Sequence, residues 1–395
     1  MFPAPPKSSP GDLPPLSADE SAHEQHVLAH LRRAIAEADG WISFADYMNV
    51  VLYAPGLGYY AAGARKFGSA GDFVTAPELT PLFGRTLAAQ LAQAIAAVPD
   101  AEIIELGPGS GRLCADLLIE LAARDSLPAR YRLLEVSAEL RERQREHLAA
   151  SVREHLPCVE WIDRLPERWH GAVLANEVLD ALPAHLVVRR GDEWLERGVA
   201  FDARGALAFA DRPLASRQLR ERAAARFPAT GDYLSELNPV AEALVMSLAQ
   251  RCDQGLVLLV DYGFPATEYY HPQRDQGTLM AHYRHRSLAD PFFRPGLADL
   301  TAHVDFSAMA RAGAAGGMRV AGFATQARFL VNCGVLDQLA RCGAPESTPY
   351  LRAASAVQTL TSPAEMGELF KALALVRGID EGLIGFRDGD RAHRL

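Results

Sequence analysis

Residues 102–113 read Glu102-Ile103-Ile104-Glu105-Leu106-Gly107-Pro108-Gly109-Ser110-Gly111-Arg112-Leu113. A short apolar run closed by an acid, three glycines at alternate positions and an amphipathic run over 113–124 predict a strand, a tight loop and a helix. Glycines let the backbone turn sharply and approach a ligand closely, and the first turn of the helix leaves N–H groups unpaired. A dinucleotide loop needs G-x-G-x-x-G. Here the spacing is G-x-G-x-G, and Arg112 stands where the third glycine of that motif belongs. The plain alternative is a structural turn with no ligand.

Working outward, the pattern predicts strands over 131–136, 159–162 and 172–175, with a helix over 138–149. This βαβαβ order predicts a parallel, doubly wound α/β sheet of Rossmann-like type. On the N-terminal side, Leu82, Phe83, Leu87, Leu91 and Ile95 form one stripe of a helix over 80–97. An earlier helix begins near residue 23, with Val27, Leu28, Leu31 and Ile35 on one face, and ends by Gly40; another opens at 43–48, and 55–71 is loop. Beyond residue 176 the alternation stops. Residues 185–190 and 193–201 read as a hairpin turning at Gly191-Asp192, and 214–226 and 238–251 as helices. A buried strand over 256–260 resumes the sheet, and 319–325 and 370–376 close it. The expected organisation is a disordered tail at 1–22, a helical and loop segment at 23–100, a core at 101–183 and 256–395, and a large α+β insertion at 184–255 capping the substrate side.

The formal charge of −9 over 395 residues disfavours nucleic acid as the main partner. No apolar run is long enough to span a membrane. The five cysteines, Cys114, Cys158, Cys252, Cys333 and Cys342, form no CxxC pair and are odd in number, which points to reduced thiols and no structural metal. The first 20 residues hold one Lys and no Arg and lack an apolar h-region, so neither a transit peptide nor a secretory signal is expected, and the setting reads as cytoplasmic.

The chemistry-bearing residues gather at predicted strand ends. A sulfonium cofactor with an amino-acid tail, S-adenosylmethionine, suits Glu105 and the loop Gly107, Pro108, Gly109 and Gly111 better than a pyrophosphate does. Glu135, with Val136 after it, ends the second strand 24 residues past Gly111, where an acid accepts ribose hydroxyls or is simply a surface carboxylate. Asp163 closes the third strand, placed for an adenine amino group or for solvent. Asn176, Glu177 and Asp180 follow the fourth strand; the two acids suit a cationic methyl acceptor, or a helix start that favours acids. Asp261-Tyr262 ends the fifth strand, and His303 and Asp305 lie downstream as further candidates, His303 also fitting a structural role. Tyr59, Tyr60 and Phe73 form either an apolar lid or core.

Gly58-Tyr59-Tyr60, Gly71-Asp72-Phe73-Val74-Thr75-Ala76-Pro77-Glu78, Glu105 to Gly111, Glu135-Val136-Ser137, Asn176-Glu177 with Asp180-Ala181-Leu182-Pro183, Asp261-Tyr262-Gly263 and Asp299 to Phe306 occur in this order. Together they resemble the MidA-type methyltransferase family, which includes the mitochondrial arginine methyltransferase that assists complex I assembly. The resemblance runs over about 25–390. It implies a class I methyltransferase core with a family insertion, cofactor contacts at Gly107, Gly109, Gly111 and Glu135, and a site bordered by Thr75, Pro77 and Glu78. It also implies arginine methylation of a protein substrate, a complex I core subunit in mitochondria. Tyr60, Asp261, Tyr262 and Asp305 are the candidates for the substrate side. Ser110 and Arg112 depart from the Arg and Thr expected around that glycine. A small-molecule methyltransferase and a non-catalytic assembly factor remain competing readings; the glycine spacing disfavours a nicotinamide oxidoreductase.

Overall fold

Eight strands form the central sheet: β1 (Glu102–Leu106), β2 (Arg130–Leu134), β3 (Val159–Ile162), β4 (Trp169–Asn176), β5 (Cys252–Phe264), β6 (Val304–Asp305), β7 (Arg319–Thr325) and β8 (Phe370–Arg377). These come from a computed structural model that describes residues 13–61 and 75–395. The strand order is β7-β8-β5-β4-β1-β2-β3, with β6 also beside β5. Neighbours from β3 through β5 are parallel, as is β5 with β6. β8 runs antiparallel to both β5 and β7. The sheet is therefore mixed, where a parallel one was expected. The reason lies in the helices Gln326–Asn332, Val335–Ala340, Thr348–Thr361 and Met366–Leu369 that join β7 to β8. They leave and return at the same sheet edge, so that Thr325 faces Lys371 and the chain must run back.

Composition follows position in the sheet. Ala172, Val173, Leu174 and Ala175 of β4 and Leu256 to Val260 of β5 are buried, the continuous apolar run expected of strands covered on both faces. The helix Arg112–Ala123 packs on Pro81–Ala96, and a Cβ on Gly84 would lie 2.7 Å from the Asp116 Cβ, so only glycine allows that approach.

By contacts the described residues divide into two compact units. The sheet belongs to the unit drawn from Val74–Leu179, Glu242–Pro265 and Val304–Leu395. The other draws on Met1–Phe73, Asp180–Ala241 and Ala266–His303. In it the expected hairpin is present, His185–Arg190 against Glu193–Phe201. Three further strands extend it: Ile42–Ser43, Leu207–Pro213 and Tyr233–Leu237. A separate three-stranded sheet pairs Met280–Tyr283 with Arg286–Leu288 and Asp299–Thr301. Its core joins Val27, Phe44, Leu186, Val199, Ala281 and Leu300.

These bounds differ from the expected division at 184–255, because the N-terminal helices and residues 266–303 pack with the hairpin and share its core. The first helix is Ala18–Glu37, so five residues assigned to a tail are helical. Ser17 caps it, with Glu20 reaching back to the Ser17 N–H in a reciprocal capping box. Among the described residues no helix is long and apolar enough to cross a membrane.

Candidate active site

In the sheet unit, the loop after β1 takes the form its glycines anticipate. Gly107, Gly109 and Gly111 have φ of 58°, 54° and 84°, a left-handed backbone that other residues adopt at a cost. The Gly111 N–H donates to Pro108 O at 2.8 Å, closing the turn from which the helix Arg112–Ala123 starts.

Glu105 shares a strand face with Ile103, by the two-residue period, and looks into the core. Its carboxylate accepts from the Tyr131 hydroxyl at 2.6 Å. Burial pushes its pKa up to about 7, partly offset by that hydrogen bond. The Glu105 side chain thus braces the floor of the loop.

Glu78 is drawn to the same loop from the short helix Ala76–Leu79. It accepts from the Ser110 hydroxyl and pairs with Arg112 Nε at 3.2 Å. Ser110 and Arg112, the two departures from the family pattern, are therefore both anchored on one acid. Thr75 precedes this helix as its N-cap and Pro77 is buried within it.

Glu135 lies just past β2, and only 8% of it is exposed. Its carboxylate accepts from Ser137 N–H at 2.8 Å and Gln144 Nε2 at 3.3 Å. Burial raises its pKa, against those hydrogen bonds and the nearby Arg141. Val136 beside it is 78% exposed, unusual for a large apolar side chain. Asp163 is exposed at the end of β3.

Asn176 closes β4. Its Oδ1 is buried and has no hydrogen-bond partner among the described residues, while its Nδ2 donates to Glu177 Oε1 at 3.2 Å. Glu177 has a φ of 52° and is held by its N–H donating to Val260 O at 2.9 Å. Its carboxylate also accepts from Ala76 N–H at 3.4 Å, bringing the Asn176-Glu177 pair to the helix that carries Glu78. Asp261 accepts from Val178, Leu179 and Tyr262 N–H at 3.2, 3.0 and 2.9 Å, fixing the turn after β4. Tyr262 packs edge-on to Phe370, and Asp305 caps the helix Phe306–Ala315 through Ala308 N–H at 2.9 Å.

The remaining candidates fall in the other unit. Tyr60 donates to Asp299 Oδ2 at 2.9 Å and stacks on Tyr53, ring centroids 5.6 Å apart. Asp180 is buried, and its carbonyl accepts from Ala302 N–H at 2.9 Å, next to His303. The His303 N–H donates to Thr278 Oγ1 at 3.0 Å. Burial and then the charges of Asp299 and Asp180 push the Tyr60 hydroxyl pKa up, so both acids are near it. Tyr59 is core, and Phe73 lies outside the described residues. Glu177 and Asp180, paired in the sequence reading, belong to different units.

The sequence reading did not single out Gln144 and Tyr53, which touch the candidates Glu135 and Tyr60. The signal for Gln144 is its place in the stripe Leu140, Gln144, Leu148, where a polar residue interrupts an inward face. For Tyr53 nothing local distinguishes the ring from core.

The model of a family described as "Putative S-adenosyl-L-methionine-dependent methyltransferase" matches residues 84–324, more than half of the chain. The chain belongs to this family. A Drosophila melanogaster relative, "Protein arginine methyltransferase NDUFAF7 homolog, mitochondrial", is 32% identical over 95% of this chain and 90% of its own. The Danio rerio protein of corresponding name is 30% identical over 91% of this chain and 89% of its own. A Burkholderia thailandensis structure bound to S-adenosyl-homocysteine is 48% identical, with a TM-score of 0.94 over 97% of this chain and 100% of that one. The protein is thus a methyltransferase dependent on S-adenosylmethionine. The cytoplasmic expectation is overturned: it rested on the composition of the first 20 residues, whereas the curated relatives carry mitochondrial in their names.

Proposed function

We propose that this methyltransferase acts on an arginine of a protein substrate, and that its sheet unit is a class I, Rossmann-like core interrupted after β4. The observation that carries the reading is the name, protein arginine methyltransferase, borne by relatives that align with 91–95% of the chain. The strand order supports the core assignment, since it reverses between β1 and β4, and open α/β sheets take ligands at such a switch point.

The residues fit the cofactor. The orphaned Asn176 Oδ1 is an acceptor awaiting an N–H, which the α-ammonium of S-adenosylmethionine provides. Gly107, Pro108, Gly109 and Gly111 would make backbone contacts. Glu135 would accept the ribose hydroxyls, Val136 would cover the adenine and Asp163 would meet its amino group. Thr75, Pro77 and Glu78 would border the pocket.

When bound, S-adenosylmethionine supplies an electrophilic methyl carbon. The protein's task is then to prepare the acceptor. A guanidinium is protonated at neutral pH and attacks poorly. Glu177 would hold its planar fork by charge-assisted hydrogen bonds, keeping positive charge on the remote nitrogens while the attacking nitrogen gives its proton to solvent and S-adenosyl-homocysteine leaves. The left-handed backbone of Glu177 supports this role, because strain of about 1–3 kcal/mol persists mainly where function requires it. By the sequence reading Asp180, Tyr60 and His303 would also serve the acceptor, while Asp261, Tyr262 and Asp305 would shape the acceptor side through the backbone they hold. By the resemblance above, the acceptor is a respiratory-complex subunit.

The test is incubation with labelled S-adenosylmethionine and lysate from cells lacking the protein. Label on an arginine side chain of a protein is expected; label confined to small molecules would overturn the reading. Glu177→Gln and Asp180→Asn should each lower transfer strongly while S-adenosyl-homocysteine affinity stays within about threefold.

A further inference from the structure

Six of the 14 residues of the helix Ala138–Ser151 are charged, yet one polar side chain on it, Gln144, is wholly buried. Its amide makes three separate contacts. Nε2 donates to Gly109 O at 2.9 Å and to Glu135 Oε2 at 3.3 Å, while Oε1 accepts from Trp161 Nε1 at 2.9 Å. An indole N–H only donates, so Trp161 fixes which end of the amide faces it, and both amide protons must point at the glycine loop and the carboxylate. Arg145 lies over the Trp161 ring, 4.9 Å from its centroid, holding that ring from its face. The packing is close: a Cβ on Gly111 would lie 3.4 Å from the Gln144 Cγ.

We propose that Gln144 is a positioning residue for cofactor binding: oriented by Trp161, its amide locks the Gly109 carbonyl and the Glu135 carboxylate into one arrangement, ready for the ribose. This rests on the reading of Glu135 as the ribose acceptor. A side chain that only filled space would serve as well apolar, and would not be oriented by a dedicated donor. The amide also acts on charge. Glu135 is buried, and its ionised form is favoured by Ser137 N–H, Val136 N–H, Gln144 and the Arg141 guanidinium, whose Nε donates to Glu135 O at 2.7 Å. Arg141 and Gln144 face Glu135 from the same helix, and Trp161, on β3, carries no charge. Removal of the amide therefore makes Glu135 easier to protonate.

S-adenosyl-homocysteine affinity, measured by calorimetry from pH 6 to 8, tests this on wild type, Glu135→Ala, Gln144→Leu and the double variant. Gln144→Leu should weaken binding roughly three- to tenfold, more at pH 6 than at pH 8, with a smaller loss and no such pH dependence when Glu135 is already alanine. Trp161→Phe, which keeps the core ring, should shift the pH profile in the same direction with a smaller loss, and supplies the answer if Gln144→Leu does not fold. If Glu135→Ala leaves affinity unchanged, the ribose reading falls and this inference with it. If Glu135→Ala weakens binding but Gln144→Leu matches wild type in affinity and pH profile, or adds its full loss on top of Glu135→Ala, the Gln144 role alone is overturned.

Discussion

Single residues around the glycine loop carry opposite demands, and each demand is measurable. Gly109 holds a φ of 54°, where a β-branched side chain is heavily strained. Gly109→Val should remove S-adenosyl-homocysteine binding in a protein that still shows native circular dichroism; unchanged calorimetric affinity would place the cofactor elsewhere. Glu135→Ala should cost about 1.5–3 kcal/mol of binding, one to two decades in Kd, because hydrogen bonds to a charged acceptor are lost. Glu105, expected in the cofactor site, also bears on stability through its burial and its bond to Tyr131. Its folded pKa is raised by burial to about 7 from 4.5. The folded state thus binds its proton more tightly than the unfolded chain, giving stability that is full below about pH 4.5 and lost as pH rises through 7. Melting temperatures should show wild type gaining on Glu105→Gln as pH falls from 8 to 5; a pH-independent difference would mean that Glu105 does not titrate there.

At the scale of elements, what the sequence announces and what it conceals divide along local physics. The β1 loop, the helix after it and the hairpin turning at Gly191 were legible because glycine spacing and period-two or period-3.6 patterns are local signals. The direction of β8 was not legible, since it is set by where four helices return the chain. Nor was the membership of residues 266–303, which depends on a core shared with residues far away in sequence. Among the candidate site residues, types were readable in the sequence and hydrogen-bond partners were not. Asp261 and Asp305 look alike in sequence as acids after or before a strand end, yet both spend hydrogen bonds on backbone N–H groups. Asp261→Ala should therefore destabilise the fold by roughly 1.5–3 kcal/mol in denaturant titration, by freeing the turn that follows Glu177. A loss of activity with unchanged stability would instead make Asp261 a direct participant.

For the whole molecule, ligand linkage separates the cofactor classes. A ligand that binds only the folded state at about 100 times its Kd adds roughly 2.7 kcal/mol of stability. S-adenosyl-homocysteine should raise the melting temperature by several degrees and NAD should not move it; a clear shift with NAD would revive the oxidoreductase reading. The order of the strands has a further consequence, for synthesis in time. β8 lies between β5 and β7 although it is the last strand of the sheet to be made. While the ribosome is still adding residues 326–369, β5 and β7 each wait with an unfilled edge, and such edges invite pairing with other chains. The nascent protein thus cannot close this sheet until residues 370–377 have emerged.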